Sequence, residues 1–283
     1  MAIRARWALA GAAGCIALLA ATWFAAFHIS LVTHADQSIF SGFYDLHTHG
    51  DVVHATASFI AHLCDPVPYV YLVTIPIIVA LARRRPGLAL AVVVILIGAN
   101  VTTEQLKALL AEPRAAWLLG GMTPVVPKSW PSGHATAVMS LALASVLVST
   151  RRWRPVVAAA GAVFVVAVCY SFLTLGWHYP SDVLGGFLVA TAWTLVVIAG
   201  LRLSARRSAR DSHTATRVSL GELAGPVGTA VAAAVALAGI VLVSRPHQVV
   251  AYAQGHRAFV VGAAAIAAAG FALPSAIALT VRR

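Results

Sequence analysis

The sequence predicts an all-α membrane protein, a polytopic helix bundle, on three observations. Hydrophobic residues make up 60% of the 283 residues and charged residues only 10%, with a mean hydropathy of +0.86. A soluble domain averages ~45–50% apolar and ~25% charged residues, so one water-facing globule cannot enclose this much apolar surface. The apolar residues also gather into runs that approach the ~20 residues needed to cross a bilayer as a helix.

Eight candidate spans follow from these runs. The second, third and fourth are short, and we expect them to extend into their flanking residues. The first is interpreted as an uncleaved helix rather than a signal peptide, because it is long and has no clear small-x-small cleavage site after it. The spans cover about residues 7–27, 68–82, 87–101, 135–150, 155–176, 183–201, 225–243 and 258–280.

The composition divides the chain into three parts. Residues 1–203 are predicted to form a six-helix membrane domain, and the polar residues 204–224 a cytoplasmic linker rich in Ser, Thr and Arg. Residues 225–283 are predicted to form a C-terminal pair of transmembrane helices, whose Ala and Gly content is typical of helix-packing surfaces.

The distribution of basic residues predicts the orientation. With the N-terminus in the cytoplasm, fifteen of the twenty Lys and Arg residues fall on the cytoplasmic side, as the positive-inside rule requires. Both termini are then cytoplasmic, and segments 28–67, 102–134 and 177–182 lie outside. The net charge of +11 comes from short clusters between apolar segments, so we expect a plasma-membrane protein and no nucleic-acid partner. The Ala-, Arg- and Val-rich composition is typical of a bacterial protein.

A cluster of cations and a Pro-Ser-Gly-His sequence lie in the second outside segment. Ionisable groups near a bilayer face indicate function. Lys107 and Arg114 are seven residues apart, so on a helix they share one face and can hold a phosphate. Ser132 is a good N-cap, Gly133 lets a ligand approach the backbone, and a helix start attracts anions.

The third outside segment places His178 four residues before Asp182. At a helix start this spacing lets the carboxylate hold one imidazole nitrogen and fix the tautomer. The other nitrogen is then available to attack phosphorus. His134, at the end of the Pro-Ser-Gly-His sequence, is a candidate to protonate the leaving oxygen.

The order and spacing of these residues resemble the type 2 phosphatidic acid phosphatase family, which shares its core with vanadium haloperoxidases. The resemblance covers residues 1–203 and rests on three motifs. The first keeps Lys107 and Arg114 but has Ala115 in place of proline. The second, Pro-Ser-Gly-His, is intact. The third keeps its serine, histidine and aspartate, but Phe172 stands where the family has arginine.

The resemblance implies roles for individual residues. His178 would be the nucleophile that forms a phosphohistidine, oriented by Asp182, and His134 the general acid and then the base. Lys128, four residues before Ser132, could partly substitute for the arginine missing at position 172, but a headgroup or loop contact is the favoured interpretation of this lysine. The groups implied to hold the phosphoryl oxygens are Lys107, Arg114, Ser132 and the Gly133 amide. The mechanism implied needs no metal and no cofactor, because these groups supply the charge stabilisation.

The predicted function is that of an integral-membrane lipid phosphatase acting at the extracytoplasmic face. Its substrate would be a phosphomonoester or diphosphate of a lipid, such as a prenyl diphosphate, phosphatidic acid or phosphatidylglycerol phosphate. Two alternatives remain open: a catalytically impaired relative that binds lipid phosphate, indicated by Phe172, and a lipid phosphotransferase. The oligomeric state is left open.

A second group of potential metal ligands lies in the first outside segment. His47, His49 and His54, with Asp51 between them, could bind zinc. No HExxH sequence or cysteine pair accompanies them, so a solvated loop is the favoured interpretation. The three cysteines contain no CxxC pattern and predict neither a disulfide framework nor a structural zinc site.

Overall fold

The computed structural model describes residues 5–47, 50–110, 112, 125–207, 219–244 and 246–281. In these ranges the chain forms eleven α-helices and no strand. They are α1 (Ala5–His28), α2 (Ser30–His47), α3 (Asp51–His62), α4 (Pro66–Ala82), α5 (Pro86–Leu109), α6 (Gly133–Val148), α7 (Arg154–Thr174), α8 (Pro180–Arg207), α9 (Leu220–Ser244), α10 (Pro246–Gly255) and α11 (Arg257–Thr280).

This all-α architecture confirms the predicted fold class. Within the described residues, five helices are long and apolar enough to cross a membrane, or six if the bent pair α3–α4 counts as one span. The third predicted span does extend into its flank, since α5 continues to Leu109. The fourth, α6, has only 16 residues.

The first outside segment differs from the expected loop, because it folds into helices α2 and α3. Phe40 and Phe43 of α2 are buried, and Phe43 packs against Tyr170 of α7 with ring centroids 5.2 Å apart. Polar residues interrupt the apolar pattern of α2, so hydropathy alone does not reveal this helix. Its few buried aromatic residues fix it to the bundle nonetheless.

Helix α6 lies at the centre of the bundle and is buried on all sides. Thirteen of its 16 residues are buried, as expected for a helix that is apolar all round. It packs against α5, α7, α8 and α11. Close contacts of this kind depend on small residues, and Gly161 of α7 shows one, lying against Ala142 of α6.

The last helix, α11, packs into the same core as the first eight helices. It contacts α7, α2 and α6, and Gly262 and Gly270 allow close approach to Ile39 and Val166. The buried Arg154 at the start of α7 donates a hydrogen bond of 2.8 Å to the carbonyl oxygen of Val281. These contacts agree with the expectation that the Ala- and Gly-rich C-terminal spans present helix-packing surfaces.

Helix α9 is joined to the core at its first turn. Ser219 and Glu222 form a capping box, in which each side chain accepts a hydrogen bond from the other residue's backbone N–H. Glu222 also pairs with Arg151 at 3.0 Å. The described part of the predicted linker belongs to helices, since α8 runs to Arg207 and α9 begins at Leu220.

The crossing of α6 and α8 generates the first testable prediction. A Cβ atom at Gly186 would lie 2.8 Å from both the Ser132 carbonyl oxygen and the Thr136 nitrogen, and neither backbone atom can move aside cheaply. Gly186→Ala should therefore lower the free energy of unfolding by about 1–3 kcal/mol, measured by thermal unfolding in detergent.

Gly200, on the same helix, supplies the matched control. A Cβ there meets no atom within 4 Å, so Gly200→Ala should be neutral or stabilise by about 0.5–1 kcal/mol. Equal effects of the two substitutions would show that the α6–α8 contact is not as tight as described.

Candidate active site

Four helix ends and one helix junction converge at one end of the bundle. Lys107 comes from the last turn of α5, and the Pro-Ser-Gly-His sequence forms the start of α6. Phe172 comes from the last turn of α7, and His178 directly precedes α8. Asp65, between α3 and α4, completes the group through its contact with His134. Motifs that are far apart in the sequence thus meet in a single site.

His178 and Asp182 form an ion-pair contact, but Nδ1 of His178 makes no hydrogen bond within the described residues, so the hydrogen bond that the spacing predicts is not formed. The two side chains approach to 3.5 Å, between Nδ1 of His178 and Oδ2 of Asp182. Asp182 is fully buried, and its Oδ2 accepts a 2.9 Å hydrogen bond from the backbone N–H of Tyr179. Because Nδ1 faces the carboxylate, Nε2 is the nitrogen of His178 that can act as a nucleophile.

The Pro-Ser-Gly-His sequence forms the predicted helix start. Ser132 is the N-cap of α6, and its Oγ accepts a 3.2 Å hydrogen bond from the N–H of Ala135. A Cβ atom at Gly133 would lie only 2.9 Å from Nζ of Lys107. The ammonium group therefore lies directly at the helix start, and together they make a site for an anion.

Lys107 is already paired with an acidic side chain. Its Nζ lies 2.7 Å from Oε1 of Glu104, one turn earlier on α5. The Glu104 side chain is 64% exposed, so it can swing away from the lysine at little cost. A bound phosphate would replace this carboxylate as the partner of Lys107.

His134 faces His178 across the site, with ring centroids 6.1 Å apart. Its Nε2 lies 3.4 Å from Oδ1 of Asp65. Two imidazoles at this separation can act on one phosphorus centre from its two sides, one on the phosphorus and one on the departing oxygen. The structure thus brings together the three side chains that the sequence assigns to the chemistry.

Phe172 occupies the site itself. Its side chain is fully buried, with its ring centroid 5.2 Å from that of His178 and 5.9 Å from that of His134. An apolar ring therefore lies where the family resemblance places an arginine. Trp177 adds a second apolar wall, 5.4 Å from the His134 ring.

Two acidic residues of this site are missing from the sequence-based assignment. Asp36 of α2 is buried and accepts two hydrogen bonds from Ser181, from its N–H at 2.8 Å and its Oγ at 2.7 Å, which fixes the start of α8. Asp65 is the partner of His134. An aspartate just before a proline-initiated helix is a recognisable N-cap signal, so Asp65 could have been selected as a helix cap but not as a partner of His134.

The structure does not bring the remaining predicted residues into the cluster that it describes, because most of them lie outside the described residues. Arg114 lies outside the described residues, and Lys128 is exposed in the turn before α6. His49 and the side chain of His47 also lie outside the described part, while His54 is exposed on α3. Among the described residues, no group of three or more His, Cys, Asp or Glu side chains is placed to hold a metal ion.

Comparison with known proteins now identifies the segment that carries this site. A family model described as the PAP2 superfamily matches residues 88–205. This part of the chain is therefore similar to the PAP2 superfamily. It contains Lys107, the Pro-Ser-Gly-His sequence, Phe172 and the His178–Asp182 pair, whereas Asp36 and Asp65 precede it. No curated protein sequence matches the chain.

A solved PAP2 structure shares the overall fold. The crystal structure of the first transmembrane PAP2 type phosphatidylglycerolphosphate phosphatase, from Bacillus subtilis, aligns with a TM-score of 0.54 and 17% identity. The match covers 71% of this chain and 98% of the other. The chain is therefore a multi-pass membrane protein with the PAP2 fold.

The position of Phe172 generates the second prediction. A cation at residue 172 would face the phosphoryl group, and one well-placed donor contributes about 2.7–4 kcal/mol to such a transition state. Phe172→Arg should raise the turnover of a phosphate ester by about ten- to a hundred-fold. The measurement is phosphate release at saturating substrate, with thermal unfolding to confirm that the variant folds.

Phe172→Leu is the matched control and should not raise turnover, since it adds no charge. If Phe172→Arg folds but turns over no faster, residue 172 serves to shape an apolar part of the substrate site. Lys128→Ala in both backgrounds tests the alternative that Lys128 replaces the missing arginine, because activity would then be lost only when residue 172 is phenylalanine.

Proposed function

We propose that this chain is an integral-membrane lipid phosphatase that works through a phosphohistidine at His178. The observation that carries the proposal is the meeting of a nucleophile, an acid and an anion site at one end of the bundle. The His178–Asp182 pair, His134, and Lys107 above the start of α6 are within reach of one phosphoryl group.

The reaction follows from the roles of these side chains. Nε2 of His178 attacks phosphorus, and the bond from phosphorus to the lipid oxygen breaks as His134 gives that oxygen a proton. His134 then takes a proton from water, which attacks the phosphohistidine and releases phosphate. Lys107 and the first-turn N–H groups of α6 stabilise the charge on the phosphoryl oxygens, with Arg114 proposed as a further cation.

A groove beside the site supports a lipid as the substrate. It has a volume of about 530 Å³ and runs between α4 and α5, from Lys107 and His134 to apolar residues. Val70 and Ile97 on its walls are exposed at the bundle surface, so a chain can enter from the bilayer. A phosphate at Lys107 and an acyl or prenyl tail in the groove would fit one amphipathic molecule.

The candidate substrates are prenyl diphosphates, phosphatidic acid and phosphatidylglycerol phosphate. The Bacillus subtilis protein of the same fold is named for phosphatidylglycerolphosphate, which makes that lipid the first to test. The distribution of basic residues supports a site on the extracytoplasmic side, with both termini in the cytoplasm. The substrate would then come from the outer leaflet of the plasma membrane.

A second candidate function is binding of lipid phosphate with little or no turnover. The specific observation in its favour is Phe172, which replaces a cation with a fully buried apolar ring beside His178. Losing one such contact can slow a reaction about 10²–10³-fold. A phosphotransferase would use the same histidine and differ only in the acceptor that replaces water.

Phosphate release from the three candidate lipids by the purified protein in detergent tests the proposal. We expect release to fall to background in His178→Ala, because the attacking nitrogen is lost. His54→Ala, on the exposed surface of α3, is the matched control and should retain activity. Activity should persist in EDTA and be inhibited by vanadate, which mimics a pentacoordinate phosphoryl group.

Three outcomes would count against this proposal. Loss of activity in EDTA that zinc or magnesium restores would require a metal mechanism. Tight binding of lipid phosphate without release would favour the impaired relative. Release that depends on an acceptor other than water would make the protein a phosphotransferase.

The proposed orientation is tested by cysteine labelling in intact cells. Val126, just before α6, is 62% exposed, and Trp153, at the opposite end of α6, is 56% exposed. In a variant that lacks the three native cysteines, Val126→Cys should react with a membrane-impermeant thiol reagent. Trp153→Cys should react only after permeabilisation, and the reverse pattern would invert the topology.

A further inference from the structure

We propose that Asp65 is the positioning residue of His134, so that the site contains two carboxylate–imidazole pairs with different roles. This inference rests on the proposed phosphatase function. Asp182 serves the nucleophile, His178. Asp65 serves the acid, favouring the protonated form of His134 that gives its proton to the leaving oxygen.

The position of Asp65 follows from a break between two helices. Helices α3 and α4 meet at an angle of 55°, and Asp65 is the N-cap residue directly before Pro66. An N-cap aspartate usually binds the N–H groups of its own helix, but the Asp65 side chain makes no such hydrogen bond. Its Oδ1 instead lies 3.4 Å from Nε2 of His134.

The surroundings of His134 disfavour its protonated form, and the Asp65 carboxylate opposes this effect. Burial lowers the pKa of the His134 imidazole, and positive charge on His178, from the loop before α8, and on Lys107, from α5, lowers it further. Phe172 and Trp177 are apolar walls that supply no compensation. Among the described residues that face His134, Asp65 is the negative group that favours the imidazolium.

The contact also determines which nitrogen exchanges protons. With Nε2–H donating to Asp65, Nδ1 of the imidazolium carries the proton that passes to the leaving oxygen. His134 then becomes a neutral imidazole that keeps its proton on Nε2, and its Nδ1 lone pair can take a proton from water. Asp65 stays ionised throughout. In each cycle, Nδ1 of His134 gives one proton to the leaving oxygen and takes one from water.

His62 also contacts Asp65. Its Nε2 lies 3.9 Å from Oδ2 of Asp65, and its ring packs edge-on against Trp177. The carboxylate therefore lies between two imidazoles, with the nearer one belonging to the active site. His62→Gln separates the two contacts, because it leaves the Asp65–His134 pair intact.

Asp65→Asn tests the proposal, because asparagine has nearly the same shape as aspartate but carries no charge, and no side-chain capping hydrogen bond is lost. We expect kcat to fall by about ten-fold or more with little change in KM, since proton donation and not substrate binding is affected. The high-pH limb of the activity profile should move by about one pH unit to lower pH, because a neighbouring charge of this kind shifts a titration by about 1–3 units. The melting temperature should not change.

Three controls distinguish this role from a structural one. Asp65→Glu restores the charge and should recover part of the rate and the original pH limb. Asp51→Asn, in the first turn of α3, neutralises another aspartate at a helix start and should change neither the rate nor the pH profile. His62→Gln should keep the wild-type high-pH limb of the activity profile. An Asp65→Asn protein with the wild-type rate and pH profile, or one that changes only in melting temperature, would overturn the proposal.

A measurement independent of turnover separates this inference from the proposed function. The His134 ring can be titrated by NMR in detergent micelles, with its signal assigned by its loss in His134→Gln. In Asp65→Asn its midpoint should move to lower pH even if no lipid is hydrolysed. An unchanged midpoint would refute the pairing, whereas a wild-type protein that lacks phosphatase activity but shows the shift would refute only the function.

Discussion

The backbone hydrogen bond from the N–H of Ser132 to the carbonyl oxygen of Asp182 is the contact on which the site depends. It is 2.9 Å long and joins the N-cap of α6 to the first turn of α8. Gly186 makes it possible, because one turn further along α8 it lets the two backbones touch. The anion site at the start of α6 is thereby held at a fixed position relative to His178, the proposed nucleophile, which lies just before α8.

The charged groups of this site occur in opposite pairs, and this pairing explains how they tolerate a membrane face. Lys107 is paired with Glu104, His178 with Asp182 and His134 with Asp65. Ionisable groups are costly near hydrocarbon unless they are compensated. A phosphate dianion can compete with the exposed Glu104 for the lysine, whereas a neutral headgroup cannot. In the proposed function, the Lys107–Glu104 pair would thus also favour phosphate over a neutral headgroup.

The part of the site that the sequence predicts is the part encoded by local spacing. Four residues separate His178 from Asp182, and consecutive residues from Pro131 to His134 form a helix start, so short-range helical geometry fixes both arrangements. The fold class follows in the same way from the length of the apolar runs. Lys107 joins them because it lies at the end of α5, in the expected outside segment.

The rest of the site depends on contacts between distant positions, which no local pattern encodes. Asp36 reaches Ser181 across 145 residues, and Asp65 reaches His134 across 69. Helix α2 also escapes a hydropathy scan, because polar residues interrupt its apolar face. Its attachment comes from a few buried rings, such as Phe40 against Tyr179 at 4.8 Å, and only the folded bundle brings those rings together.

The anchoring of α8 by Asp36 has a consequence for how this protein can have diverged. The residues proposed to do the chemistry lie within the stretch that matches the superfamily, but α2, which lies outside that stretch, supports their geometry. The matched stretch therefore does not contain all the contacts that position its own site. A chimera that joins this stretch to an unrelated N-terminal region would keep the reactive side chains but lose the hydrogen bonds from Ser181 to Asp36. Changes in α2 and changes in the loop before α8 should accumulate together during evolution.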